Sequence, residues 1–256
     1  MPRYFLELSY KGTRYSGFQI QENAPTIQWE VEKSLKILLR EAIACTGSSR
    51  TDAGVHAICN FFHFDTDVEI PEALVYRLNA ILPPDIAVRS LRRMHPQAHC
   101  RFDAVSRTYR YVLYSRKDPF ADDRGWFYPY PLDASVLATV AGIVMDTADF
   151  TSFSKRNTQV RTFICSIRES RWEQSEAGWV YHVRGNRFLR GMVRGLVGTM
   201  LQAGRGKMGV AAFRDVITSM DNRNVDFTPP GRGLFLMDVG FEDGYFGRVT
   251  VARQEA

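Results

Sequence analysis

The sequence predicts an α+β fold: two related lobes sharing a mostly antiparallel sheet flanked by helices. Three observations predict it. Helical segments interrupt strand-like ones twice along the chain, in a similar order. Neighbouring alternating segments, such as those near residues 166 and 181, suit a hairpin. A doubly wound parallel sheet would need stricter strand–helix alternation, and G-x-G-x-x-G is absent. At 256 residues the chain is long for one simple core. The lobes are placed at 1–105 and 106–256, and no Gly/Ser-rich linker separates them, so they read as fused rather than tethered.

Each element has its own local reason. Tyr4, Leu6, Leu8 and Tyr10 alternate with Phe5, Glu7 and Ser9, which is the period of a strand. Lys11-Gly12 and Ser16-Gly17 mark a loop. After Pro25 and the candidate cap Thr26, Ile27, Val31, Leu35, Leu38 and Leu39 recur at a helical spacing. A loop of small and polar residues covers 46–54. An aromatic-dense strand follows over 57–64, then a helix opened by Pro71 that would bury Leu74, Leu78, Ile81 and Leu82. Strands are expected over 85–92 and 106–115. In the second half, Leu132 or Asp133 begins a helix through Met145, and two strands fall around 162–171 and 179–185. A glycine-spotted helix is predicted over about 187–202, another over 209–220, and a closing strand over 234–240.

Composition excludes several classes. Hydrophobic residues make up 45% and charged residues 24%, which is ordinary for a globular protein and unlike a disordered or fibrous chain. Lys and Arg total 33 against 28 for Asp and Glu, a net charge of +5, and the pI is near 9.1, which suits a polyanionic partner. No apolar run of about 20 residues exists, so no membrane contact is expected. The N-terminus, MPRYFLELSYKG, has no charged leader followed by an apolar run, and the expected location is the cytoplasm. Cys45, Cys59, Cys100 and Cys165 are scattered without a C-x-x-C pair, as reduced thiols are. His95 and His99 stand four apart beside Cys100, but Pro96 argues against a helix carrying them, and no metal site is expected.

The segment Arg50-Thr51-Asp52-Ala53-Gly54-Val55-His56 is the most informative. It sets a carboxylate in a tight loop beside a permanent cation, although an Asp in such a loop most often only satisfies backbone N–H groups. In Ser106-Arg107-Thr108-Tyr109-Arg110-Tyr111 a strand would put Arg107, Tyr109 and Tyr111 on one face and Arg110 on the other. Aromatics interleaved with arginines suit a flat base and its phosphates. Tyrosines packing on a lobe would produce the same pattern. At helical spacing Arg187, Arg190 and Arg194 fall together, with Phe188, Met192 and Leu196 on the apolar face. Three arginines on a helix are usually a solvated face. Gly191, Gly195 and Gly198 instead suggest close approach of another backbone or a ligand, because each weakens a helix by about 1 kcal/mol.

These segments stand in the order found in the TruA family of tRNA pseudouridine synthases, which the chain resembles. The match rests on Arg50 to His56, Arg107-x-Tyr109-x-Tyr111 and Asn186-x-Phe188-Leu189-x-x-Met192-Val193-Arg194. Tyr10-x-Gly12, Gly17-Phe18-Gln19-x-Gln21 and Gly233-Leu234-Phe235-Leu236 extend it from about Tyr4 to Val239. One departure is Ser49, preceded by Ser48, where the family usually carries Gly; if that position requires positive φ, Ser is strained there.

The resemblance implies the pseudouridine synthase fold and isomerisation of uridine to pseudouridine in the anticodon stem-loop of tRNA, with no cofactor and commonly as a homodimer. It assigns the nucleophile to Asp52, the base-stacking side chain to Tyr109 and the pairing cation to Arg194. Arg50 is expected to fill the space of a flipped uridine or hold its phosphate. Lys11, Arg14, Gln19, Gln21, His56 and Arg190 are further candidates for RNA contact, and His56 also suits a loop-supporting role. Three alternatives accompany this expectation: the same chemistry on another RNA, a non-catalytic RNA-binding module, and a hydrolase using Asp52. The hydrolase ranks last because Asp65 and Asp67 have no partner pattern for activating water.

Overall fold

A computed structural model of the chain describes residues 1–155 and 160–247, together with the backbone of Val251–Arg253. Two compact units are formed, Met1–Val105 with Leu236–Ala256, and Ser106–Phe235. The chain thus returns to the first unit at its end, where the sequence placed all of 106–256 in one lobe.

In the first unit, β1 (Arg3–Tyr10) lies between β3 (His56–Asp65) and β4 (Ile86–Met94), antiparallel to both. Residues 46–47 form a short β2 (Thr46–Gly47) on β3, so the expected loop loses its first two residues to the sheet. A last short strand, β10 (Val251–Arg253), pairs with β4 and was not foreseen. Helix α1 (Ile27–Leu39) starts where its cap predicts: Thr26 Oγ1 accepts the Trp29 N–H at 3.3 Å. Helix α2 (Leu74–Ile81) begins three residues after Pro71, and Ile81 is exposed rather than buried, because Leu74, Val75 and Leu78 take the inward stripe.

The sheet has two differently covered faces. One carries the buried Leu6, Leu8, Phe62 and Phe64, with Phe18 stacked on Phe62 at 4.5 Å. The other carries Phe5, Phe61 and His63. Residues 241–246 lie on it: Phe241 meets Phe61 edge-on at 5.4 Å, and Arg92 sits over the Phe246 ring at 4.4 Å. Strand β9 (Leu234–Gly240) brings the chain to that position, and Val105 N–H donates to Gly240 O at 2.8 Å.

In the second unit, β5 (Ser106–Tyr114) and β7 (Ile167–Ser175) flank β8 (Gly178–Gly185), antiparallel on both sides. Strands β7 and β8 form the expected hairpin, with β7 starting five residues later than predicted. The brief β6 (Trp126–Phe127) pairs with β5 in parallel. Helix α3 (Ala134–Met145) is capped by Asp133, whose Oδ1 accepts the Ser135 and Val136 N–H groups. It packs on β7 and on α4 (Met192–Gly204), and α5 (Val210–Thr218) adjoins both helices. The α+β class with mostly antiparallel pairing is the one expected.

Helix α4 corrects the sequence in a way that matters for the site. It starts at Met192, not near Arg187, because Gly191 adopts φ +74° and ends the preceding loop there. Arg187 and Arg190 therefore precede the helix, and the arginines do not share a helical face. The glycines do mark a close approach. A Cβ on Gly195 would meet the Phe227 ring at 2.8 Å, and one on Gly198 would overlap the Asp226 carbonyl oxygen.

Candidate active site

The Asp52 loop belongs to the first unit and is pinned from several sides. Phe18 N–H donates to Thr51 O at 3.0 Å, Gly54 N–H to Tyr15 O at 3.2 Å, and Val55 N–H to Asp52 O at 3.2 Å. Gly54 turns the chain at φ +76°, and Gly12 packs so tightly that a Cβ would overlap the Val55 carbonyl. Tyr10 Oη and Thr51 Oγ1 lie 2.8 Å apart, both buried. Asn60 Nδ2 donates to Tyr10 Oη at 3.1 Å and to Ser49 O at 2.9 Å. Asp52 itself is half-buried and Arg50 is exposed beside it.

Ser49 takes no positive φ, the described non-glycine residues that do being Asn23, Arg40 and Met220. The feared backbone strain is therefore absent at Ser49, whose φ is open to any residue. A different feature replaces it: the hydroxyls of Ser48 and Ser49 are buried without a hydrogen-bond partner.

The remaining candidates of this unit fall into two groups. His56 is buried at 1% exposure, and its Nδ1 accepts the Gly12 N–H at 3.2 Å. That geometry favours loop support over RNA contact and leaves the ring proton on Nε2. Lys11, Gln19 and Gln21 are exposed, and Gln21 Nε2 donates to Ser16 O at 2.7 Å. Arg14 is exposed and bridges to Asp85 Oδ2 at 2.7 Å. Burial of the Asp85 carboxyl opposes its ionisation, but hydrogen bonds from Arg14 and Tyr15 outweigh this and hold its pKa below the usual range. Asp65 is engaged by Arg3 through both carboxylate oxygens, at 2.8 and 2.7 Å, which commits it to an ion pair rather than to water activation.

The histidines near Cys100 are also committed. His99 Nδ1 accepts the N–H groups of Arg101 and Phe102 at 3.2 and 3.3 Å. His63 Nδ1 is 3.2 Å from Cys100 Sγ, and burial, followed by the charges of Arg3 and His99, lowers the His63 pKa to about 4. Among the described residues no group of three or more His, Cys, Asp or Glu side chains is placed to hold a metal. All four cysteines are free thiols, and burial raises the pKa of Cys59 to about 12 and of Cys165 to about 11.

The second unit holds the other candidates. Tyr109, half-buried on β5, meets Phe188 edge-on at 5.1 Å. Its neighbours on the same face are buried: Tyr111 Oη donates to Pro230 O at 2.8 Å, and Arg107 Nη1 donates to Asn186 O at 3.0 Å. Arg194, in the first turn of α4, donates from Nε to Pro229 O at 2.6 Å and from Nη2 to Phe227 O at 3.3 Å. A cation is poorly placed at a helix N-terminus, and these carbonyls offset that disadvantage while fixing the guanidinium plane. Arg190 is exposed in the preceding loop, and its carbonyl accepts the Lys155 N–H at 3.2 Å.

Asn60 is the polar side chain of this region that sequence reasoning missed. Its signal was a lone amide inside the aromatic run His56 to Phe64, a position where an unpaired polar group is costly.

Comparison with known proteins bears on both units. The family model described as tRNA pseudouridine synthase matches residues 8–103 and 147–242. A tRNA pseudouridine synthase A of Parabacteroides distasonis is 42% identical over 248 residues, covering 96% of this chain and 98% of the relative. The protein of the same name from Bacteroides thetaiotaomicron is 42% identical, covering 98% of this chain and 94% of its own. That from Staphylococcus saprophyticus is 39% identical over 91% of this chain and 89% of its own. With two segments matched and full-length relatives at this identity, the chain belongs to the tRNA pseudouridine synthase family.

Proposed function

We propose that the protein isomerises uridine to pseudouridine in the anticodon stem-loop of tRNA, with Asp52 as nucleophile and no cofactor. The support is the Asp52 loop: a half-buried carboxylate at the tip of a segment held by buried hydrogen bonds, in a chain of this family. A binding module has no need of such a carboxylate. In this reading the carboxylate attacks C6 of the base or C1′ of the ribose. The N1–C1′ bond breaks, the base turns, C5 bonds to C1′, the bond to Asp52 is released with its electron pair returning to the carboxylate, the C5 proton leaves and N1 gains a proton. The product is an isomer, so no oxidant or group donor is required.

Tyr109 is assigned to stacking on the target base and then to proton transfer from C5, and Arg194 to pairing with the carboxylate. Arg50 is assigned to the vacated stack or the flipped nucleotide's phosphate, since extrusion of the uridine costs a few kcal/mol. Lys11, Arg14, Gln19, Gln21 and Arg190 are offered to the tRNA backbone, consistent with their exposure. His56 serves the loop. The working form is proposed to be a cytoplasmic homodimer, which light scattering on the purified protein tests for its mass.

The deciding experiment is tritium release from tRNA labelled at uridine C5. The wild type is expected to release label, while Asp52→Ala releases none yet binds tRNA with an affinity close to wild type in a filter assay. Release by Asp52→Ala refutes the nucleophile assignment. Silence from both proteins on tRNA, with release from total cellular RNA by the wild type, moves the same chemistry to another RNA.

A further inference from the structure

We infer that Asn60 is a positioning residue for the nucleophile, acting on Asp52 through two hydrogen bonds that bracket the loop before it. The inference rests on the assignment of Asp52 above. Asn60 has no exposed surface and sits opposite Leu8 in the β1–β3 pairing, among Phe61, Phe62 and Phe64. An amide in such a place is tolerated only when its polar atoms are engaged. All of them are: Oδ1 accepts the Phe61 N–H at 2.9 Å, and Nδ2 donates to Ser49 O at 2.9 Å and to Tyr10 Oη at 3.1 Å. Tyr10 Oη in turn meets Thr51 Oγ1 at 2.8 Å. One amide nitrogen therefore holds Ser49 directly and Thr51 through a single intermediary, the residues on either side of Arg50. Asp52 follows immediately. Because β3 is a central strand paired on both sides, the anchor is rigid, and the loop inherits its register from the sheet.

The test uses kcat and KM for tritium release from C5-labelled tRNA, on samples shown to be folded by circular dichroism. Asn60→Leu keeps the bulk and removes both donors. Its kcat is expected to fall about 100-fold, the usual cost of misplacing a reacting group by an ångström, with KM for tRNA within about twofold of wild type. A folded Asn60→Leu with wild-type kcat, or a loss carried by KM instead, overturns the inference. Asn60→Asp supplies a readout that a purely structural role would not move. Its carboxylate accepts but does not donate, whereas the acid form regains one O–H donor, so its kcat relative to wild type should climb as pH falls. A flat ratio overturns the inference. If Asn60→Leu does not fold, Tyr10→Phe decides, with an expected loss in kcat of about tenfold; unchanged kcat overturns it. Asp52→Ala is measured alongside. Turnover by that variant removes the nucleophile assignment itself, whereas an inactive Asp52→Ala beside a fully active Asn60→Leu removes only the positioning role.

Discussion

The two units hold their candidate functional residues by different means. In the first, the Asp52 loop is tied by buried side-chain hydrogen bonds, from Asn60 to Ser49 and Tyr10 and between Tyr10 and Thr51. In the second, Arg194 is placed by backbone approach: Gly195 and Gly198 let residues 225–227 lie against α4, and the carbonyls of Phe227 and Pro229 receive the guanidinium. The first holds the residues just before Asp52, the second the Arg194 guanidinium itself. The first is directional and fails when a donor is deleted; the second is steric and fails when a methyl group is added.

The largest break expected in the second unit is Arg194→Ala. It removes the proposed partner of Asp52 and empties two carbonyl acceptors of a charged donor, each such bond being worth about 1.5–3 kcal/mol. Tritium release should fall to near background, and the melting temperature should drop. An active variant with unchanged Tm would show that the guanidinium is incidental.

Gly198→Ala tests the steric half of the comparison without touching any functional group. The new methyl must displace the Asp226 backbone, at a cost of about 1–3 kcal/mol. A lower kcat is expected, because the strip that receives Arg194 moves with it. Gly12→Ala pushes on Val55 in the same manner, so both substitutions should lower Tm, and full stability in either would show that its backbone contact yields.

Acid sharpens the contrast from the first unit's side. The folded-state pKa of His63 is lowered to about 4, first by burial and then by Arg3 and His99, from an unfolded value near 6.5. Between those pH values the unfolded chain binds a proton that the folded chain does not, so stability rises with pH across the window. Lowering pH from 6.5 to 4 should reduce Tm. The slope should be shallower in His63→Gln, and identical slopes would remove His63 as the cause.

The smallest effect belongs to Ser48→Ala. Its buried hydroxyl has no partner, so removal should leave Tm unchanged or raise it, by an amount worth about 1 kcal/mol at most. A clear fall in Tm would reveal a hydrogen bond through an ordered water.

Much of this was legible locally. Thr26 and Asp133 announce their helices because a cap satisfies N–H groups two or three residues away, and α1 begins where that logic puts it. The Asp52 loop was legible as a candidate because a cation, a carboxylate and a glycine turn lie within five residues. The start of α4 was not, since helical periodicity runs back through Phe188 while the backbone turns left-handed at Gly191. The arginine stripe read from that periodicity therefore dissolved, leaving Arg194 alone on the helix. Concern over Ser49 was misplaced for a related reason: its φ is set by the path of the chain between β2 and the turn, not by the residue type the family prefers.

By itself the sequence determined the class of fold, most strands and helices, and the segments proposed to carry the chemistry, because each depends on contacts between near neighbours along the chain. Tertiary structure alone decided three things. Asn60 became an anchor by meeting Tyr10 and Ser49, 50 and 11 residues away. Gly195 and Gly198 became necessary because residues 225–227 pack on them. The aromatic segment at 241–246 became part of the first unit by covering Phe5 and Phe61. In each case the partner is distant in sequence, and neither hydrophobic period nor capping pattern carries information across such a separation; only the assembled sheet and its packed helices bring the groups within reach.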